Sequence, residues 1–217
     1  MKKLVLRSPN LRESDLELWQ ESRVEPEAEL HLIRLSGLIE GDARQTRWAK
    51  VALKNVRLSA VSLRGAHFED VRFGVCDLAN LDARQVFASR VEMLECRALG
   101  FCAPESDWRD AVFDGCNLSL SQFRHAKFER VNFRDCDLRE ADLQNADLRG
   151  VVFHNCDLRG AQFSFARLQN TDICTSRSDD LGVDAGALRG LIVSPLQAAQ
   201  LAAILGLQVR WQSASSS

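Results

Sequence analysis

The 217-residue chain has no apolar stretch long enough to span a membrane, and no excess of either charge. Its 28 Lys+Arg stand against 30 Asp+Glu, a formal net charge of −2, so the electrostatic signature of a direct nucleic-acid binder is missing. The seven cysteines contain no CxxC pair, and their odd number suits a reducing compartment better than a disulfide framework. At the N-terminus the only apolar run is Leu4–Val5–Leu6, too short for a secretory signal. A glycine-rich phosphate loop is absent, as is any defensible Ser/His/Asp arrangement. These absences point to a cytoplasmic, non-enzymatic protein without a cofactor, which binds neither nucleic acid nor membrane directly. At 46% hydrophobic residues the composition is nevertheless that of a folded chain.

What is present is a repeat of five. Leu53, Leu58, Leu63, Phe68, Phe73 and Leu78 open a run that continues in one phase through Trp108, Phe113, Phe133 and Phe153 to Ile173. Ala83, Ala88, Met93, Ala98 and Ala103 bridge its middle, so every fifth residue is apolar over the whole span. Two residues before each lies a small one: Val51, Val56, Val61, Ala66, Val71, Cys76 and onward to Thr171, with Leu81 and Phe101 as exceptions. A period of five fits neither an α-helix nor a simple strand. It fits a coil that turns a corner every five residues and points one large and one small side chain inward on each side.

The cysteines supply a second period. Cys76, Cys96, Cys116, Cys136 and Cys156 are spaced by 20, which is four groups of five. A four-sided coil stacks them in one column. Val51, Val71, Val91, Ala111, Val131 and Val151 make another column, and Phe73, Met93, Phe113, Phe133 and Phe153 a third.

With the segments AdlQN at Ala141–Asn145, AdlRG at Ala146–Gly150 and CdlRG at Cys156–Gly160, the chain resembles the pentapeptide-repeat family, whose consensus is A(D/N)LXX. The resemblance implies an all-β fold, a right-handed quadrilateral β-helix, here with a short C-terminal helix as cap. Stacking residues 51–175 gives about six coils and a tower about 30 Å tall at ~4.8 Å per coil. Expected around it are an N-terminal cap with room for degraded first coils over 1–50, a C-terminal loop, strand and helix over 176–212, and a disordered tail over 213–217. A degraded phase reaches back to Ile33, Leu38, Ala43 and Trp48. Over Ala79–Asp107 both periods persist while the large position shrinks to Ala, predicting an intact but thinner waist filled by Leu81 and Phe101. Pro104 is tolerable at a corner.

Both ends of an open stack need covering. Ser14-Asp15-Leu16-Glu17 reads as a capping box opening a short helix that buries Leu16 and Trp19. The surrounding segment from Glu13 to Glu29, rich in acids, is either an acidic contact surface or the solvated face of a cap. Beyond Ile173, Leu188–Val193 predicts a strand, and Ser194, Pro195 and Gln197 form the start of a helix that runs to Leu205, with Gly206 closing it. That helix is apolar nearly all round, so it needs burial on more than one side. It resembles the C-terminal module by which gyrase-protecting members of the family form two-fold dimers, with Leu207–Trp211 as a last strand. Leu196, Ala199, Leu201, Ala202, Ile204, Leu205 and Leu207 are the candidate dimer contacts; the alternative is a cap folded wholly onto its own chain.

His67, His125 and His154 fall on three sides of the coil, and His31 outside the regular tower, so no metal site is expected. The column of five thiols is expected to pack as small hydrophobes, leaving Cys102 and Cys174 outward. The resemblance extends to quinolone-resistance members that imitate DNA and protect gyrase. It implies DNA gyrase or topoisomerase IV as partner, and a homodimer. Mimicry requires carboxylates arrayed along a rod, and Asp77, Asp114, Asp135, Asp137, Asp157 and Asp172 are the candidate partner-binding surface. The side bearing Phe73, Phe113 and Phe133 is net −2 and the other three are neutral. The alternative is a rigid interaction module or regulatory scaffold for another partner.

Overall fold

A computed structural model describes residues 6–19, 23–58 and 61–210. Its strands are β1 (Glu17–Leu18), β2 (Arg23–Val24), β3 (Glu29–Leu38), β4 (Glu40–Gly41), β5 (Arg47–Arg57), β6 (His67–Gly74), β7 (Phe87–Leu94), β8 (Asp107–Asp114), β9 (Lys127–Arg134) and β10 (Val152–His154), followed by helix α1 (Pro195–Ala202). All strand pairs are parallel. One sheet runs β1-β3-β5-β6-β7-β8-β9-β10 and a second pairs β2 with β4. From β5 onward the register follows the spacing of the cysteines, as in Arg47 beside His67 beside Phe87 beside Asp107 beside Lys127. The remaining two sides are ladders of single parallel bridges at the same spacing, Asp77–Arg97–Asn117–Asp137–Asp157 and Asp82–Cys102–Gln122–Asp142–Gln162. The architecture is a right-handed quadrilateral β-helix of about 7 turns.

The corners explain the period. The last residue of each five is left-handed: Lys50, Asn55, Asp70, Val75, Asn80, Gln85, Arg90 and Glu95 have φ between 52° and 58°. A left-handed residue redirects the chain by about a right angle, which leaves room on each side for one small and one large inward side chain. For L-residues this conformation costs roughly 1–2 kcal/mol, least with Asn, Asp or Gly. Val75 is the misfit, being β-branched, while Asn55, Gly115, Asp135 and Asn155 occupy its column.

Inside, the large residues stack in register. Phe113 and Phe133 lie 4.6 Å apart between ring centroids, and Phe133 and Phe153 4.9 Å, both pairs nearly parallel. Two buried tryptophans meet the small position two residues earlier: Trp48 Nε1 donates to Thr46 Oγ1 at 2.6 Å, and Trp108 Nε1 to Ser106 Oγ at 2.7 Å. Those hydroxyls donate in turn to Ala43 and Ala103 carbonyls. The cysteine column is buried, its thiols directed at strand carbonyls: Cys96 Sγ is 3.5 Å from Phe73 O and Cys116 Sγ 3.3 Å from Met93 O. At the waist Phe101 and Leu81 are buried, and Phe101 lies 6.0 Å from Phe123. Phe87 is turned outward and stacks on His67 at 4.9 Å.

The ends differ from the sequence reading. Ser14–Glu17 opens no α-helix. Glu13–Asp15 is a single 3-10 turn, and Glu17–Leu18 pairs with Ile33–Arg34 because a parallel partner satisfies its backbone better than an isolated turn can. Leu16 is buried, and Trp19 packs half-buried on the core. The first turns are real coils but short: Glu17 pairs with Ile33 and Glu29 with Arg47. Only at Asp42 beside Ser62 does the step reach its full length. A bulge between Leu35 and Gly37 shifts the phase, so Leu35 and Ile39 point inward and Leu38 is exposed. His31, assigned outside the tower by pattern, sits in β3 beside Ala49. The coil also continues past 175, with Arg177 beside Asp157, Gly182 beside Gln162 and Ile192 beside Asp172. The strand expected at Leu188–Val193 is therefore one bridge at Ile192 after a turn. Leu207–Arg210 forms no strand, while Trp211 and the tail 213–217 lie outside the described residues.

Two substitutions probe the stack and its corners. Phe133→Ala removes the middle ring of the stacked column and should cost about 3–5 kcal/mol in denaturant unfolding. Val75→Asn relieves the β-branched corner and should raise stability by about 1 kcal/mol.

Candidate functional site

The side chains that face outward are organised by the same five-residue unit. An aspartate at the second position is followed two residues later by an arginine, and the two close on each other. Arg139 donates to Asp137 through Nε at 2.9 Å and Nη2 at 2.6 Å, and Arg159 and Arg149 grip Asp157 and Asp147 in the same way. Arg84 with Asp82 and Arg109 with Asp107 repeat the fork. In most units the carboxylate also accepts the backbone N–H of that arginine, as Asp137 does from Arg139 at 3.1 Å. The arginine hydrogen bonds hold Asp82, Asp137, Asp147 and Asp157 below the usual carboxylate range, outweighing their partial burial.

Of the six acids read as a partner surface, Asp77, Asp137 and Asp157 are thereby paired, Asp77 with Arg97 at 3.0 Å. Asp114, Asp135 and Asp172 have no ion pair among the described residues. Asp172 accepts the Cys174 N–H at 2.9 Å, and Asp135 accepts from the Asn155 amide. The six do not share one face. Asp77, Asp137 and Asp157 share one bridged column, while Asp114, Asp135 and Asp172 lie on the neighbouring side, Asp114 and Asp135 about the corner that holds the exposed Glu95 and Asp172 in the column of Asn132 and Val152.

At the C-terminal end α1 is docked the unexpected way round. Ser194 and Gln197 form the reciprocal capping box. Gln197 is also buried, and its amide donates to Ile173 O at 2.9 Å, which also accepts the Ser176 N–H, and to Ser176 O at 2.8 Å. Gln200 reaches Asp179 at 3.0 Å. Gln197 thus faces the tower, and the exposed Gln200 bonds its rim. The candidate dimer residues Leu196, Ile204, Leu205 and Leu207 are exposed, joined by Val209, and Leu196 is 61% accessible. Ala199, Leu201 and Ala202 are half-buried. A 3-10 turn at Ala203–Leu205 ends the helix, and Gly206, at φ +72°, closes it.

Two carboxylates that the sequence reading passed over, Asp70 and Asp110, are the most buried acids on the tower wall. Each is gripped by the arginine one coil on, Arg90 and Arg130. Their signal was available as an Asp-Arg alternation down one corner column. Cys102 and Cys174 are half-buried, and burial holds both thiols above their ordinary value, Asp172 adding to it at Cys174. Among the described residues no three His, Cys, Asp or Glu side chains gather as a metal-holding group, and no helix is long and apolar enough to cross a membrane.

Residues 106–180 match the family model described as a pentapeptide repeat region. The fold is that of a pentapeptide-repeat β-helix. The pentapeptide-repeat tower is similar to the solved structure of a trypsin-treated variant of QnrB1, a plasmid-mediated fluoroquinolone resistance protein. That match has 24% identity and a TM-score of 0.51, covering 87% of this chain and 95% of that one. A second trypsin-treated QnrB1 variant aligns at 23% identity with a TM-score of 0.45, over 87% and 95% of the two chains. HetL, a pentapeptide repeat protein involved in heterocyst differentiation regulation in the cyanobacterium Nostoc sp., aligns at 17% identity and TM-score 0.41, over 72% and 91%. Comparison with curated proteins gives no match.

The paired aspartates set an acid limit. With their pKa values lowered by folding, their contribution is present above the unfolded carboxylate pKa, about 3.9, and is lost as pH falls through the lower folded values. Stability measured by thermal unfolding should hold from pH 7 to about pH 5 and decline modestly below about pH 4.

Proposed function

We propose that the protein is a non-enzymatic, cytoplasmic, two-fold dimer that docks as a rod on a type II topoisomerase, DNA gyrase or topoisomerase IV, and protects it from poisons. The observation that carries this reading is the orientation of α1. Gln197 is taken up by the tower end and Gln200 bonds its rim, while Leu196, Ile204, Leu205, Leu207 and Val209 leave apolar surface exposed at this end. Such a surface on an otherwise charged molecule calls for a partner, and a second copy offers the same surface by two-fold symmetry. Two towers joined tip to tip give a rod long enough to lie along a DNA-binding saddle. The shared fold with a fluoroquinolone resistance protein supports this choice of partner. On such a rod the carboxylates of that side without an ion pair among the described residues are Glu95, Asp114, Asp135 and Asp172, rather than the full set of aspartates.

A second reading, a rigid scaffold for a different protein partner, is favoured by the Asp-x-Arg forks. They cancel most of the negative charge that imitation of DNA requires.

The dimer test replaces Leu196 and Leu205 with Glu. Both are exposed, so folding should survive while sedimentation shifts from dimer to monomer; an unchanged profile rejects the tip as the contact. The functional test titrates the protein into gyrase supercoiling and cleavage assays with and without a poison. Protection appears as loss of poison-stabilised cleavage with supercoiling intact, and Asp114→Lys with Asp135→Lys should weaken it at least tenfold. No effect at large molar excess favours the scaffold.

A further inference from the structure

Residues 6–16 do not belong to the coil. They run along its outside, across the coils, over the corner column Lys50, Asp70, Arg90, Asp110 and Arg130. At two points the contact is to main chain. Asn10 N–H donates to Asp70 Oδ1 at 2.9 Å, and Arg7 N–H points at Asp110 Oδ1 at 3.4 Å. The two acceptors are built identically, two coils apart. Arg90 Nε and Nη2 hold the two oxygens of Asp70 at 2.6 and 3.0 Å, and Arg130 holds those of Asp110 at 2.7 and 2.9 Å. Each carboxylate is nearly inaccessible on its corner, and its Oδ1 accepts both the arginine Nε–H and the main-chain N–H of the strap. Between the contact points Pro9 is buried, and beyond them Leu16 is buried near Leu32 and Lys50, with Glu13 3.7 Å from Arg72.

The spacing is what makes this a recognition device. Two coils at ~4.8 Å put the carboxylates roughly 10 Å apart, and three residues of extended chain span about the same distance at ~3.3 Å each. Main-chain donors three residues apart therefore meet both acceptors without reference to side-chain identity. At Asp70 burial opposes ionisation, but the hydrogen bonds from Arg90 and from the Asn10 N–H more than compensate. At Asp110 the Arg130 hydrogen bonds lead, and the carboxyl is likewise held below its usual range against its burial. Lys50 and Arg7 add further positive charge near Asp70 and Asp110 respectively, and Glu69 shares Arg90.

We propose that this corner column is a docking track for an extended peptide main chain, and that the chain's own residues 6–16 are its resident, displaceable occupant. The partner it fits is a segment like the resident one: two free N–H groups three residues apart, a proline or other small apolar residue between them, and a leucine further on. The inference is independent of the topoisomerase reading.

The test uses the full chain. Arg7→Pro with Asn10→Pro deletes both N–H donors and leaves the track intact. A labelled peptide of sequence Leu6–Leu16 should bind this variant at least tenfold more tightly than the unaltered chain. There the tethered strap competes at an effective concentration on the order of millimolar. Adding Asp70→Ala and Asp110→Ala should abolish the gain. Equal binding to the variant and the unaltered chain overturns the proposal. Hydrogen exchange of Asp70→Asn with Asp110→Asn gives a separate check. Residues 6–16 should lose at least tenfold protection while residues 131–160 keep theirs; unchanged protection of 6–16, or joint loss in both segments, overturns it.

Discussion

Every feature of this molecule depends on a left-handed residue at each fifth position. That conformation turns the chain through one corner, and four corners bring it back directly above its starting point, so the parallel ladder closes after four groups of five. Once it closes, each inward side chain rests on its equivalent one coil below. This is why Phe113, Phe133 and Phe153 stack face to face and why five cysteines share a column. The strain of the corners is offset by two buried side chains per five residues and a ladder that leaves few internal backbone groups unpaired. Where that gain is small, as at the alanine-rich waist, Phe101 and Leu81 move into the small position and restore volume.

The same unit governs the exterior. Its second and fourth residues point outward on one side, two positions apart, which is the reach of an arginine folding back on an aspartate. The resulting forks are local and solvent-facing, each worth little to stability. Their consequence is electrostatic: a surface rich in aspartate has little net field. Among the described residues the carboxylates without an arginine include Asp114 and Asp135, on either side of the corner that holds Glu95, and Asp172, whose unit carries Cys174 where the forked units carry an arginine.

The ends are where the repeat stops being self-sufficient. At the C-terminal end a glutamine caps the carbonyls of Ile173 and Ser176, and the helix that carries it leaves Leu196 exposed and Leu201 half-buried. Near the other end shorter turns, Glu17 to Ile33 and Glu29 to Arg47, taper the stack, and the segment before them is laid along a corner. Both solutions place on the surface groups that a closed domain would hide: an apolar tip in one case and a main-chain strap in the other.

The periods of five and twenty, read from Leu53 to Ile173 and from Cys76 to Cys156, determined the architecture, the inward residues and the cysteine column, because each was repeated often enough to outweigh local exceptions. The cap of α1 was legible too, since Ser194, Pro195 and Gln197 act on neighbours in the chain. Three matters were decided only in three dimensions. The direction of Gln197 depended on carbonyls of Ile173 and Ser176, a full coil back along the chain. The pairing of Asp137 and Asp157 depended on rotamers, and the strap on Asp70 and Asp110 depended on contacts between segments far apart in sequence. A repeat announces the contacts it makes with itself. It is silent about those made once, between a non-repeating segment and the regular wall, because one contact leaves no period to read.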